Sequence, residues 1–484
     1  MDIVIPLAVA SVLIMLCIFS SKALYRFGVP SLIIFLALGI IMGADGLGGI
    51  YFNDFSMAEN ISTIAIVLII FYGGFGTKWD TAKPSVTKAG LMSSIGTIMT
   101  AFIIGFFCMI ILRVPFLYGL LFGSVVASTD AAAVFSILRS RKLSLKNGLA
   151  PLLEIESGSN DPFAYMMTIV VIAAIGAQGG EGTGVWGVVL TFGLQLGVAI
   201  AVGAGVSAAA VWLLKRLKLQ MSGLTPILLL AIVIFCFSIT VLLRGNGLLS
   251  VYILGMVVGN SRILNKISLV HFFDGLSWLM QIALFFVLGL LSFPSVMPNV
   301  IIPGILLSLL LIIVARPIAT LGILSWFRTP WKQQAFVAWV GLRGSASIVF
   351  AIIAVKAVGY TLPYDLFHLV FFVALFSILI QGTLIPFMAK KLDVIDYNDE
   401  NCIMKTFNDY HEDVHHQLME YKVTADDKIV DKSIVHSEIP EENLIIMIRR
   451  RGEIIVPKGE TMLEKDDILV ISGDKFDFFE DMRA

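Results

Sequence analysis

The feature that most constrains this chain is a series of apolar runs, each about as long as the apolar layer of a membrane is thick. A helix needs roughly 20 apolar residues to cross that layer, and about thirteen stretches approach or exceed this length. The ninth is short and contains glycine, so twelve spans remain an alternative. The runs lie at residues 3–20, 29–44, 60–77, 86–112, 115–138, 150–176, 184–214, 225–243, 247–260, 270–291, 300–325, 334–358 and 364–390.

Composition agrees with this interpretation, because 58% of the 484 residues are hydrophobic and only 14% are charged. Such a chain lies outside the range of soluble globular domains. We therefore predict an all-α polytopic membrane domain over residues 1–392. The formal net charge of -1 argues against nucleic acid as a partner.

The loops between the runs differ in charge, and positive residues collect in alternate loops. Lys22 and Arg26 lie in one such loop, and Lys78 and Lys83 lie in the next loop on the same side. Since positive residues favour the cytoplasmic side, this alternation predicts an odd number of spans with the N-terminus outside and the C-terminus in the cytoplasm. The expected location is the cell membrane, either the plasma membrane or an inner membrane.

The composition changes abruptly after Leu392, where the chain becomes polar and acidic. We interpret residues 393–417 as a linker. Its histidines, His411, His415 and His416, could be read as a metal or pH sensor, but they lie in a charge-rich, solvated segment. Residues 418–484 contain short β-rich runs and predict a small α/β domain, which at this size is expected to dimerise or to dock on the membrane domain.

The sixth run contains two acids, Glu156 and Asp161, at a depth where ionised groups are costly. Ser157 and Asp161 are four residues apart, so a hydroxyl and a carboxylate share one helix face. Pro162 weakens the backbone hydrogen bonding at this point. An acid inside the membrane is by default a candidate for a functional site, and we expect these residues to line a cavity.

The fifth and twelfth runs are also interrupted by polar residues. Thr129 and Asp130 interrupt the fifth run, and Arg343 lies between glycines in the twelfth. Ser and Thr there could simply bond to their own helix, but this leaves Asp130 unexplained. Both runs predict locally unwound helices, and their opposite directions suggest inverted repeats.

A buried guanidinium needs a carboxylate partner. For Arg343 we expect Glu156 first and Asp130 second, while snorkelling of Arg343 to the surface is a further alternative. With both acids compensated, Asp161 would be the carboxylate free to exchange a proton or a cation.

From residue 5 to 390 the chain resembles the NhaP/NHE branch of the cation:proton antiporters. Three motifs carry the resemblance, namely Thr129-Asp130, Glu156-Ser157-x-x-Asn160-Asp161 and Gly341-Leu342-Arg343-Gly344. The third run differs, since it reads Phe71-Tyr72-Gly73-Gly74 where relatives often have an acid.

The resemblance implies a homodimer that exchanges K⁺ or Na⁺ for H⁺ by alternating access, a transporter of pH homeostasis and not an enzyme. It implies that Asp161 binds a monovalent cation and a proton in turn, and that Thr129 and Ser157 complete the oxygen shell of the cation. Asn160, at a position where electrogenic relatives have a second Asp, implies electroneutral exchange. Arg343 together with Glu156 would hold Asn160 in place.

Residues 418–478 are similar to the TrkA-C regulatory domain. The matching residues are Gly452, Pro457, Gly459, Thr461, Asp466, Asp467, Leu469, Val470 and Gly473. This similarity implies no catalytic cofactor but a regulator, such as a nucleotide or another small molecule, and it favours K⁺ over Na⁺. A Na⁺/H⁺ antiporter is the alternative. A ligand-gated cation channel is another, although the sequence has no filter of the potassium-channel type.

Overall fold

A computed structural model describes the chain at residues 4, 11, 12, 14–19, 31–141, 143–177, 185–217, 223–263, 266–359, 365–396, 417–424, 427–437, 439, 440, 442–450 and 453–473. The chain divides into two compact units. The first contains residues 1–263 and 268–395, and the second contains residues 264–267 and 396–484. The three linker histidines lie outside the described residues, as does half of the first predicted span.

The described part of the first unit is mostly helical. Its helices are α1 (Ser31–Met42), α2 (Phe55–Gly76), α3 (Trp79–Leu112), α4 (Phe116–Val126), α5 (Ala131–Ser140), α6 (Leu149–Gly176), α7 (Val185–Arg216), α8 (Leu224–Leu242), α9 (Gly247–Gly259), α10 (Lys266–Leu290), α11 (Pro294–Leu324), α12 (Trp331–Trp339), α13 (Ser345–Val358), α14 (Leu366–Gly382) and α15 (Ile385–Lys391). Two short strands, β1 (Ser144–Leu145) and β2 (Ile395–Asp396), follow α5 and α15.

Several of these helices can cross a membrane by length and composition. Within the described residues there are seven such helices, or eight if α14 and α15, which meet at a 46° bend, form one broken span. Shorter apolar helices, α4, α9 and α13 among them, add to these. The prediction of a polytopic helical domain is therefore confirmed.

Two of the predicted spans are broken in the middle. The fifth run forms α4 and α5, separated by residues 127–130, and the twelfth forms α12 and α13, separated by residues 340–344. At the second break Gly344 allows a close approach, because a Cβ atom there would lie 2.2 Å from Asp130 Oδ2. The predicted unwinding at both positions is thus present, and each break leaves backbone groups without helical partners.

Helix α6 lies at the centre of this arrangement and contacts α3, α4, α7, α9 and α13. It continues through Pro162 for 28 residues. Asn246, the N-cap of α9, donates a hydrogen bond from Nδ2 to the Pro162 carbonyl at 2.6 Å. This hydrogen bond fixes the α6 backbone at the residue that follows Asp161.

The second unit contains a four-stranded antiparallel sheet in the order β3 (Gln417–Lys422), β6 (Ile468–Gly473), β4 (Leu444–Arg450) and β5 (Glu453–Ile455). Tyr421 and Ile448 both face Leu469 across the sheet and belong to its buried core. Beside the sheet, the described residues contain a 3-10 turn at Ile434–His436 but no α-helix, so the helical part of the predicted α/β domain is not seen among them.

An ion-pair network lies where β4 ends and β6 begins. Arg450 bonds Asp467 at 2.8 Å and Glu464 at 2.5 Å. The hydrogen bond and charge of Asp467, followed by the charge of Glu464, raise the pKa of the Arg450 guanidinium. The second unit thus has its own core and its own polar anchor.

Candidate cation-binding site

The two broken helices meet at their breaks. The Asp130 backbone N–H donates to the Leu342 carbonyl at 2.8 Å. Arg343 Nη1 donates to the carbonyls of Ala127 and Ser128, both at 2.7 Å. Because α4 ends there, these carbonyls have lost their hydrogen bonds within the helix. The break between α12 and α13 supplies the donor that the break between α4 and α5 lacks.

Asp161 reaches this crossing from α6. Ser128, in the first break, donates its hydroxyl hydrogen to Asp161 Oδ1 in a short hydrogen bond. Asp161 is half-buried, whereas Ser128 is buried. The carboxylate therefore lies beside unwound backbone and still has exposed surface through which an ion can arrive.

Asn160 binds the first break directly. Its Nδ2 donates to the Thr129 hydroxyl in a short hydrogen bond, and its Oδ1 accepts from the Thr129 backbone N–H at 3.3 Å. The side-chain amide of Asn160 thus makes two hydrogen bonds to Thr129, one as donor and one as acceptor. Asn160 holds Thr129 next to Asp161 by its own bonds, without help from an ion pair.

Ser157 spans the same break. Its hydroxyl donates to the Thr129 carbonyl at 2.7 Å and accepts from the Ala131 backbone N–H at 2.8 Å. In this conformation the hydroxyl is engaged by the backbone at the start of α5, whereas Ser128 contacts the carboxylate. Its predicted role as a cation ligand stays a prediction.

Glu156 has a different partner from the one that we expected. Its carboxylate pairs with Arg316 of α11, at 2.8 Å for Oε1 and 2.9 Å for Oε2, and the two residues are 2% and 3% exposed. The predicted pair of Glu156 with Arg343 is wrong. The missed residue, Arg316, is a lone arginine in the eleventh apolar run, so the argument that singled out Arg343 would have found it too.

Arg343 is fully buried and bonds carbonyls through Nη1. Among the described residues it has no carboxylate within ion-pair distance, so Asp130, our second choice, is not its partner either. Asp130 Oδ1 instead accepts from the Ala133 N–H at 3.1 Å, as the N-cap of α5. Here the carbonyls of the unwound segment accept some of the hydrogen bonds that the guanidinium can donate. Residue types alone do not show whether such carbonyls or an acid will be the partner of a buried arginine.

The arrangement as a whole offers oxygen atoms to a small cation. The Asp161 carboxylate and the hydroxyls of Ser128 and Thr129 lie together at the crossing, and oxygen is the ligand that alkali cations prefer. No group of three or more His, Cys, Asp or Glu residues suited to a transition metal occurs in the part of the chain that the structure describes. One half-buried carboxylate can bind either a proton or a cation, and the two compete.

Comparison with known proteins identifies the family of this chain. The family described as sodium/hydrogen exchanger, transmembrane, matches residues 9–391, and the TrkA-C domain matches residues 418–477. The chain is 33% identical over 471 residues to the K⁺/H⁺ antiporter NhaP of Alkalimonas amylolytica, covering 96% of this chain and 81% of the relative. It is also 33% identical to the K⁺/H⁺ antiporter NhaP2 of Shewanella sp. strain MR-4, covering 93% of this chain and 77% of the relative.

A solved structure has the same fold. The sodium proton antiporter MjNhaP1 from Methanocaldococcus jannaschii at pH 8 superposes with a TM-score of 0.70 at 22% identity, covering 81% of this chain and 99% of the other. The family match spans most of the sequence, and the broken helices cross where its motifs lie. This chain belongs to the sodium/hydrogen exchanger family and carries a C-terminal TrkA-C domain.

Proposed function

We propose that this transporter exchanges K⁺ for H⁺ across the membrane and that Asp161 binds the two ions alternately. As a cation/proton antiporter the chain is a secondary transporter and not an enzyme. The single observation that carries the assignment of the site is the Asp161 carboxylate, half-buried against unwound backbone and hydrogen-bonded to Ser128. Preference for K⁺ is supported by the relatives at 33% identity, both named K⁺/H⁺ antiporters, and Na⁺ is the alternative.

The mechanism rests on competition for one group. A cation and a proton cannot occupy Asp161 together, and a bare carboxylate is too costly to move across the membrane. Only the loaded forms therefore pass between the two faces. Higher cytoplasmic pH leaves the carboxylate free for a cation, so activity rises with pH.

The neutral side chain at position 160 sets the stoichiometry in this proposal. Asn160 is a neutral amide. An acid at this position would add a second group that could exchange a proton or a cation. One exchanging carboxylate carries one cation one way and one proton the other way. Transport is then electroneutral and develops no membrane potential.

The broader organisation follows the same proposal. The chain is a homodimer in the cell membrane with about thirteen spans, its N-terminus outside and its C-terminus in the cytoplasm. The broken helices α4–α5 and α12–α13 belong to inverted repeats. The ions are transported by the membrane domain, residues 1–392. A linker, residues 393–417, joins it to the C-terminal domain, residues 418–484, which binds a small-molecule or nucleotide regulator of transport.

Proteoliposomes with a trapped pH dye test the proposal. Adding KCl, NaCl or LiCl separately should release protons most strongly with KCl, and Asp161→Asn should abolish exchange for all three. Asp80→Asn, which removes an exposed acid near one end of α3, is a matched control expected to transport normally. Exchange by Asp161→Asn would reject the site, and a larger response to NaCl would select the Na⁺ alternative.

A further inference from the structure

Helix α10 has a polar stripe on one face, although it is apolar enough to cross a membrane. Asp274, Ser277 and Gln281 follow one another at helical spacing, and Gln281 Nε2 donates to Ser277 Oγ at 3.2 Å. His271 lies one turn before Asp274 and is exposed. Residues three and four apart share a face, so this stripe extends over about 10 Å of the helix.

Asp274, the acid of this stripe, makes one polar side-chain contact with the residues that the structure describes. Tyr72 of α2 donates its hydroxyl hydrogen to Asp274 Oδ1 at 2.9 Å, and both residues are half-buried. Within the described residues, no lysine, arginine or histidine nitrogen lies within ion-pair distance of Asp274. The carboxylate is thus oriented by Tyr72 and forms no ion pair with any residue in the described part of the chain.

Space is open beside this pair. Gly73 follows Tyr72, is exposed, and has no atom within 4 Å of the position that a Cβ would take. Further along α2, Gly74 packs closely on Tyr252, whose ring also packs against Gly158 of α6. The surface that carries Asp274 is therefore connected through packed helices to the helix that carries Asp161.

The depth of Asp274 argues that it faces water. It lies eight residues after Lys266, the first residue of α10, or about 12 Å along the axis. Its partner Tyr72 lies four residues before the end of α2, where Asn260 donates to the Thr77 carbonyl at 2.8 Å and accepts from the Trp79 N–H at 2.7 Å, beside Lys78. An unpaired acid at this depth would be costly in lipid, so it belongs to an aqueous pathway.

We propose that Asp274, oriented by Tyr72, is an entry site that recruits the monovalent cation on the face of the membrane where Lys78 lies. Oδ1 is held by the tyrosine hydroxyl, and Oδ2 is left to contact a partly hydrated cation. A fixed negative charge at the mouth of a low-dielectric pathway raises the local cation concentration. This inference rests on the proposed cation/proton exchange and adds a second carboxylate to the route toward Asp161.

The test is initial-rate exchange in proteoliposomes of known orientation, with K⁺ supplied to one face at a time. Asp274→Asn should raise the apparent KM for K⁺ about fivefold on the Lys78 face, with the maximal rate and the opposite-face KM unchanged. Asp274→Glu should restore most of the affinity. Tyr72→Phe keeps the charge and should change KM less than Asp274→Asn does.

Asp80→Asn is the control for a general loss of negative charge, and its KM should equal that of the wild type. An unchanged KM in Asp274→Asn, an equal rise on both faces, or an equal rise in Asp80→Asn would overturn the entry site. If the Asn variant does not reach the membrane, Asp274→Ser is measured in the same way. Loss of exchange in Asp161→Asn with a normal KM in Asp274→Asn would reject this inference alone, whereas exchange by Asp161→Asn would reject the proposed function.

Discussion

The two broken helices contribute residues of opposite charge to the same unwound segment, the one between α4 and α5. The break between α4 and α5 has an acid, Asp130, which caps the start of α5 by accepting a hydrogen bond from the Ala133 N–H. The break between α12 and α13 has a base, Arg343, which donates to the carbonyls of Ala127 and Ser128. A helix start exposes N–H donors, which an acid can accept, and a helix end exposes C=O acceptors, to which an arginine can donate. Asp130 therefore suits the start of α5, and Arg343 suits the end of α4.

The difference assigns separate tasks to the charged groups near the crossing. Arg343 and Asp130 satisfy the backbone, and Arg316 neutralises Glu156. Asp161 is the acid whose contact in this region is a neutral hydroxyl, that of Ser128. The fixed charges hold the crossing together, and the remaining carboxylate can change its ligand.

Loss of the arginine donor should have the largest effect. Arg343→Met removes two charge-assisted hydrogen bonds, each worth about 1.5–3 kcal/mol, and leaves two buried carbonyls without donors. We expect the free energy of unfolding to fall by about 3–6 kcal/mol and exchange to be lost. Thermal melting of the purified protein and dye-based exchange measure the two effects.

Arg343→Lys is the matched variant, since it keeps the charge and one donor nitrogen but on a shorter side chain without the planar fork. It should recover part of the stability and part of the exchange. Melting of Arg343→Met at the wild-type temperature would show that the two carbonyls do not need this donor.

The second prediction concerns the ion pair beside the crossing. Glu156→Gln leaves the buried Arg316 uncompensated and should cost about 3–5 kcal/mol, as loss of one partner of a buried pair does. Replacing both residues, as Glu156→Gln with Arg316→Met, should be less destabilising than Glu156→Gln alone. Additive losses in this double-mutant cycle, measured by melting, would contradict the pairing.

The smallest expected effect is at the acid of the first break. Asp130→Ala removes the N-cap of α5 and should cost about 1 kcal/mol. Asp130→Asn can still accept from the Ala133 N–H, so it should melt close to the wild type. Equal destabilisation of both variants would indicate that Asp130 acts through its charge and not as a cap.

Much of this arrangement could be predicted from the sequence, because a membrane makes polar residues conspicuous. Thr129, Asp130 and Arg343 interrupt apolar runs, and the cost of such residues in lipid predicts the broken helices that the structure contains. The spacing of Ser157 and Asp161 predicts that they share one face of α6, whereas the role of Asn160 is implied only by the family resemblance.

The pairing of charges could not be predicted in this way. A guanidinium prefers a carboxylate, which favours an acid as the partner of Arg343, but carbonyls freed by a broken helix also accept its hydrogen bonds. Arg316 comes from a helix distant in sequence, and only the packing of α11 brings it to Glu156. Ser128 is one of several hydroxyl residues near the break, and sequence spacing does not show which hydroxyl contacts Asp161.

The central claim, that one carboxylate serves both ions, is tested most directly by the dependence of cation affinity on pH. In proteoliposomes with a fixed pH on the far side, the apparent KM for K⁺ should rise about tenfold per unit of acidification at low pH, because cation and proton binding are linked at one site. The maximal rate should stay constant. A KM that does not change with pH, with a falling maximal rate, would show that proton and cation bind at different groups and would contradict the account.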